Sequence, residues 1–262
     1  MVHVERSGAG ERLLLIHGLG GDWRVWEPVL DRLTAEREVL SIDLPGFGTS
    51  PPLPPDATPS PAALAAAVAG LLDELGIDRI DVAGNSLGAW VALELARAGR
   101  AERVTAICPA GLWGRPLGPR KGPNVRALPR IVREVAPLVA GLPGFRRLGL
   151  AGVVAHPDRV PWHAARRIVQ TYLSAPGFDA VNEAMRADYL RLEDVSSIDV
   201  PVTLAWAERD KLVAPPQGGV AGVEAVAIPD AGHLAMWDQP EIVAEMILKP
   251  AADRFPGPPT RA

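Results

Sequence analysis

The 262-residue sequence predicts an α/β fold: a mostly parallel sheet flanked by helices, with a helical segment inserted late in the chain. Three observations lead there. From the start to about Ala110, short apolar runs alternate with helical patterns, and buried strands followed by helices imply βαβ units. Between Gly111 and Ser197 the alternation stops, and helical patterns follow one another without a core strand. The strand pattern then resumes and ends in a last helix. The expected core is therefore residues 1–110 together with 198–262, and 111–197 is an insertion.

The elements follow in order. VHVER and RLLLIH read as strands, and DWRVWEPVLDRL carries apolar residues at helical spacing. EVLSID is a strand that ends in the turn PGFGTS. The loop PPLPPDATPSP is proline-rich, and Ser60-Pro61 opens the helix ALAAAVAGLLDELG, since proline is tolerated at the first helical position. Gly76 stops that helix. RIDVAG is a strand, SLGAWVALELARAG a helix and RVTAICPA a strand. The insertion opens with the Pro/Gly/Arg-rich GLWGRPLGPRKGPN. Its helical candidates are VRALPRIVREVAPLVAG, DRVPWHAARRIVQTYLS and FDAVNEAMRADYLRLEDV. PVTLAWA and VEAVAIP are the last strands and EIVAEMILK the last helix; the tail FPGPPTRA is expected to be mobile.

Composition narrows the class. A hydrophobic share of 48% is ample for a buried core. The formal net charge of -4 is read as spread along the chain, with no Lys/Arg run to support a nucleic-acid or membrane partner. Cys108 is the single cysteine, which excludes an internal disulfide and a cysteine-built zinc site. The start lacks a basic segment followed by an apolar one, and no run of about 18 apolar residues exists to span a bilayer. The expectation is a soluble cytoplasmic protein. Nothing in the sequence signals an oligomeric state.

The segment GNSLG, residues 84–88, fits G-x-S-x-G. That pattern describes a sharp strand-to-helix turn that lifts a serine hydroxyl above the sheet. RIDVAG supplies the strand and LGAWVALELARAG the helix, so the required context is present. The plainer reading is a serine capping a helix. Ser86 at a helix start meets unpaired N–H groups and a dipole that favour developing negative charge.

A serine hydroxyl needs a base. Of five histidines, His3 lies at the chain start, and His156 and His163 fall in the insertion. His17 ends a strand. His233, after the last strand and before the last helix, lies where sites of open parallel sheets form, and is preferred. An acceptor must then fix its tautomer. Asp210 follows the next-to-last strand, with Glu208 on the same loop as its competitor. Asp230 reads as a turn residue, and Asp43 as one that sets the PGFGTS turn. For the oxyanion, HGLGGD offers the Leu19 N–H, and Leu87 follows the serine. The phosphate-loop and dinucleotide patterns are absent, so nucleotide binding is discounted.

With these residues in place, the chain resembles the α/β-hydrolase fold family. LLLIHGLGG, SIDLPGFGTS, DVAGNSLGAWVALELA, LAWAERDKLV and IPDAGHLAMWDQPE carry the resemblance, in the family's order. It implies an eight-stranded, mostly parallel sheet, reduced to seven if the first strand is missing from this short N-terminus. It implies that 111–197 is a helical cap. It makes Ser86 the nucleophile, His233 the base and Asp210 its acid, with Leu19 and Leu87 lining the oxyanion hole, and needs no metal or cofactor. Ala89 stands where many relatives have a second glycine. Relatives with an aspartate nucleophile, the haloalkane dehalogenases and epoxide hydrolases, fit less well because Ser86 holds that place.

The resemblance favours a carboxylesterase-like enzyme acting on an ester, thioester or lactone of a small molecule. GHLAMW is somewhat similar to the histidine region of the meta-cleavage product hydrolases, which makes carbon–carbon hydrolysis the first rival. A ligand-binding receptor with slow turnover is the second. Candidate pocket residues are Trp113, Trp162, Tyr172, Met185 and Leu190 in the cap, and Met236 and Trp237 beside His233. Trp23, Trp26 and Trp90 are read as packing residues. Arg120, Lys121 and the Arg146-Arg147 pair are read as solvated surface charge.

Overall fold

A computed structural model describes residues 1–119, 125–127 and 130–249. Arg120, Lys121 and the tail FPGPPTRA lie outside them. The strands are β1 (Val4–Ser7), β2 (Arg12–Ile16), β3 (Glu38–Ile42), β4 (Ile80–Asn85), β5 (Ala101–Ile107), β6 (Val202–Ala207) and β7 (Glu224–Ile228). They form one sheet in the order β1-β3-β2-β4-β5-β6-β7, with only β1 antiparallel to its neighbour. Among the described residues the sheet has seven strands, not eight.

Period-two alternation makes the sheet the centre of the molecule. In β2, Leu14 and Ile16 join one core cluster, and Leu13 and Leu15 join the other. Leu204 and Trp206 of β6 face the first cluster, and Ala205 and Ala207 the second. Both faces are apolar because both are covered. α2 (Pro61–Glu74) and α3 (Leu87–Arg97) cover one face; α1 (Glu27–Thr34) and the last helix, α10 (Pro240–Leu248), cover the other. The Ser60 hydroxyl caps α2 by accepting from Ala63 N–H at 3.2 Å, with Pro61 at the first turn.

The insertion holds α4 (Arg130–Val139), α5 (Pro143–Leu150), α6 (Trp162–Ser174), α7 (Phe178–Ala187) and α8 (Leu192–Ser196). α5 was not expected. Gly144 and Gly149 lower its helix propensity enough to hide it in the sequence. The pattern FDAVNEAMRADYLRLEDV splits into α7 and α8 because Asp188 is extended. The helix expected from DWRVWEPVLDRL begins as a 3-10 turn, Trp23–Trp26, capped by Asp22. A short helix, α9 (Ala235–Asp238), was also missed.

One edge of the insertion is fastened to the loop before α9. Leu234 N–H donates to Val153 O at 2.7 Å. The buried Asp238 carboxylate accepts from Ala155 N–H, His156 N–H and Gly232 N–H, at 2.8, 2.9 and 2.8 Å. His156 Nε2 lies 2.8 Å from Asp230 Oδ2. Gly232 has no room for a side chain, since a Cβ there would lie 2.7 Å from Ala155 N.

Candidate active site

β2 and β4 are neighbours whose onward connections run in opposite directions, toward β3 and toward β5. A crevice forms beyond the C-terminal ends of such strands. The loop after β2 carries Gly18 to Gly21, and the turn after β4 carries Ser86.

Ser86 has φ 57 and ψ -116, a conformation that non-glycine residues adopt at a cost of about 1–3 kcal/mol. The surroundings enforce it. Ser86 N–H donates to Ile107 O at 2.9 Å, and its carbonyl accepts from Ala89, Trp90 and Ala110. The flanking glycines are sterically required. A Cβ at Gly84 would run into the Gly88 carbonyl, and one at Gly88 into the Ile16 and His17 carbonyls. Ala89, where many relatives have a second glycine, is fully buried.

His233 sits on the loop between β7 and α9, with its side chain 7% exposed. Its Nδ1 lies 2.7 Å from Asp210 Oδ2. The other Asp210 oxygen accepts from Leu212 N–H at 2.7 Å and Val213 N–H at 3.1 Å. Burial works to raise the Asp210 carboxyl, but the His233 hydrogen bond, the His233 charge and the two main-chain N–H groups together hold it below its ordinary value. Asp210 is thus an anion aimed at the imidazole, an arrangement that in the neutral ring favours the proton on Nδ1 and leaves Nε2 bare. Glu208 points elsewhere: its Oε2 accepts from Asp230 N–H at 3.2 Å. Asp230, at φ 53, occupies a turn.

His233 and the Ser86 turn are joined through Asn85. Its buried Nδ2 donates to His233 O at 3.0 Å. Among the described residues the Ser86 hydroxyl has no hydrogen bond; such contacts often tighten only with substrate.

The Gly18–Gly21 loop is held by His17. Leu44 N–H donates to His17 Nε2 at 2.9 Å, so the ring proton is on Nδ1, which donates to Gly18 O at 2.7 Å. Burial pushes the His17 pKa down, against the Gly18 bond and the fields of Asp43 and Asp22, which raise it. A neutral ring in this role is a support for the loop and is not available as a base. The fully buried Asp43 carboxylate accepts from Trp23 N–H and Thr49 N–H, both at 2.9 Å, and so sets the turn after β3. Gly18 lies against Ser86: a Cβ there would be 3.1 Å from Ser86 Cβ. Among the described residues, the Leu19 and Leu87 N–H groups donate to no protein acceptor.

Cys108 Sγ, an Asp210 oxygen and a His233 ring nitrogen lie within 4.8 Å of one another. Burial, then the Asp210 charge, pushes the Cys108 thiol well above its ordinary pKa. It is held as a neutral thiol beside the acid.

The expected pocket residues divide. Tyr172 borders the glycine loop, since a Cβ at Gly20 would lie 2.9 Å from its ring, and its ring meets Phe178 edge-on. Trp113 is partly buried, with its ring edge-on to Trp90 and its Nε1 donating to Asp188 O at 3.1 Å. Met185 and Leu190 are buried in the core cluster on the α3 side. Two expectations are corrected. Met236 is fully buried in the opposite cluster, because it packs beside α10. Trp162 is 60% exposed at the start of α6, its ring against His163 and Gly141. Trp237 lies between that opposite cluster and a small cluster of the insertion.

Sequence reasoning did not find Asn85 or Asp238. The signal for Asn85 was its place directly before the serine; nothing in the sequence marked Asp238 as a ligand for three N–H groups.

Residues 13–246 match the family model described as "Alpha/beta hydrolase family". The chain is 32% identical over 205 residues to an epoxide hydrolase of Mycobacterium tuberculosis, covering 72% of this chain and 93% of that one. It is 37% identical over 115 residues to a 2-hydroxymuconate semialdehyde hydrolase of a Pseudomonas species, covering 42% of this chain and 40% of that one. Among solved structures, a thermophilic esterase from Thermogutta terrifontis superposes with a TM-score of 0.70 at 26% identity, covering 94% of this chain and 91% of that one.

Proposed function

Because the chain belongs to the alpha/beta hydrolase family, we propose that it is a serine hydrolase that cleaves a carboxylic ester, thioester or lactone of a small molecule. One observation carries the reading. An ionised Asp210 is bonded to His233 Nδ1 at 2.7 Å, on a loop tied through Asn85 to the strained Ser86 turn.

In this reading Ser86 Oγ attacks the substrate carbonyl as His233 Nε2 takes its proton. Asp210 stabilises the resulting imidazolium without accepting the proton itself. The oxyanion is held by the Leu19 and Leu87 N–H groups, with the N-terminus of α3 adding favourable potential. Collapse of the intermediate breaks the bond to the leaving group, which takes the proton from His233. Water, deprotonated by the same nitrogen, then releases the acid and restores Ser86. Residues 111–197 serve as a cap over this site, with Tyr172 and Phe178 as apolar neighbours of the glycine loop.

The similarity to an epoxide hydrolase does not redirect this reading, because a serine occupies the nucleophile's place and serine chemistry is carbonyl chemistry. The similarity to the semialdehyde hydrolase favours one second reading, carbon–carbon cleavage beside a ketone with the same three residues. The test is fluorophosphonate labelling of wild type and Ser86→Ala, followed by competition between p-nitrophenyl esters and a 2-hydroxy-6-oxo-dienoate. Labelling only of wild type is expected, with kcat/KM for an ester at least about tenfold higher, a difference of about 1.4 kcal/mol in barrier. Faster bleaching of the dienoate would replace the ester reading and leave the three residues in their roles.

A further inference from the structure

The small net charge conceals an asymmetry. Residues 111–170 hold eleven Arg and Lys and two acidic residues; the rest of the chain holds sixteen and twenty-nine. The segment is formally +9 and the remainder -13. The expectation of evenly spread charge is thereby corrected.

The same segment is unusually apolar at its surface. Eight of the eleven exposed large hydrophobic residues among the described residues fall between 131 and 162. α4 is turned inside out. It packs on α6 while Ile131, Val135 and Leu138, spaced as one helical stripe, face solvent, and Pro137 is its buried residue. Ile131 is 70% exposed, Leu138 58% and Leu148 of α5 80%. Gly141 brings Trp162 against the end of α4, so the patch continues onto α6. Patches of this kind mark interaction surfaces.

Beside the stripe, a groove of about 540 Å³ between α4 and α6 is lined by Arg130, Arg133 and Arg166 and by one acid, Glu134. Arg130 is paired with Glu134 at 2.6 Å. Arg133 and Arg166 have no acidic partner among the described residues, and Arg133 Nε is shut off from solvent without a hydrogen bond.

We propose that this face docks onto an anionic phospholipid surface. Ile131, Leu138, Leu142, Phe145, Leu148 and Trp162 enter the boundary between headgroups and acyl chains, and Arg133 and Arg166 take lipid phosphates. An apolar stripe flanked by arginines is the chemistry of a helix lying in the plane of a membrane. Guanidinium matches phosphate in bidentate geometry, and basic side chains near an anionic leaflet are attracted to it. A second copy meeting it through the same face is the poorer occupant, because that would bring one +9 segment against another. No helix among the described residues is long and apolar enough to cross a membrane. The proposal does not depend on the reaction at Ser86.

The test is sedimentation of the full chain with vesicles of phosphatidylcholine alone or mixed with phosphatidylglycerol, at low and high salt. Wild type should bind the mixed vesicles at least about tenfold better, and salt should shrink the difference. Ile131→Asp with Leu138→Asp changes two exposed positions. This variant should lose vesicle binding and keep the wild-type melting temperature. Arg133→Gln with Arg166→Gln should lose the preference for phosphatidylglycerol. The proposal is overturned if wild type does not bind mixed vesicles at low salt, or if the aspartate variant binds as well as wild type. It is equally overturned if wild type ignores vesicles and forms a dimer that the aspartate variant dissociates.

Discussion

Asn85 and His233 are 148 residues apart in the chain, yet the Asn85 side-chain N–H donates to the His233 carbonyl at 3.0 Å. The residue before the proposed nucleophile thus holds the peptide of the proposed base. Both depend on the geometry of one buried amide.

Asn85→Ala removes that hold. A hydrogen bond of this kind contributes about 0.5–1.5 kcal/mol net, so the protein should stay folded with a modestly lower melting temperature. A misplaced base costs far more in rate, about 10²-fold for roughly 1 Å. The expected outcome is a kcat lower by about 10- to 100-fold with KM little changed, read from steady-state hydrolysis of a p-nitrophenyl ester. An unchanged kcat would mean that His233 is positioned by other contacts.

Ser86→Gly and Ser86→Ala should both abolish fluorophosphonate labelling, but their stabilities should differ. At φ 57 an alanine keeps the backbone strain and a glycine releases it. Ser86→Gly should therefore unfold at a higher denaturant concentration than Ser86→Ala. The reverse order would show that the turn is not strained.

Asp210→Asn should lower kcat by about 10⁴, the cost of the equivalent change in a well-studied triad. Glu208→Gln should cost far less, since among the described residues the Glu208 side chain holds only Asp230 N–H. Equal losses from the two substitutions would remove Asp210 from its proposed role.

His17 sets a pH dependence of stability. Burial keeps its folded pKa below the ordinary value of about 6.5. Between the two values the unfolded chain binds a proton that the folded chain does not, so stability is full above about pH 6.5 and falls as pH drops toward the lowered folded value. The slope for one such proton is about 1.4 kcal/mol per pH unit. Urea titrations of wild type and His17→Gln from pH 7.5 to about pH 5 check this. The wild type should lose stability faster than the variant, and parallel curves would contradict a neutral, buried His17.

The strands were legible because a strand covered on both faces must be a short apolar run bounded by turn residues, as RLLLIH and PVTLAWA are. The turn at Ser86 was legible because Gly84 and Gly88 answer a steric demand that admits no other residue, and such a demand leaves its mark in the sequence. Contacts between a side chain and a distant main-chain group leave no such mark. Asn85 and Asp238 act that way, and many polar residues could fill their positions without altering any pattern. Met236 and Trp162 show another limit. Nearness to His233 in the chain, or membership of an inserted helix, does not tell which way a side chain faces; packing against α10 and the exposed end of α6 decide it.

Asp238 grips Gly232, beside the proposed base, and Ala155 and His156, at the edge of the inserted helices, with a single carboxylate. The two segments are thus held in register by one side chain. Any swing of the helices about that edge pulls on the peptide next to His233. In the proposed reaction, a molecule that displaced the inserted helices would therefore also displace the His233 peptide relative to Ser86. Selection by size would then act on turnover as much as on admission, and a poor fit would occupy the protein without being consumed.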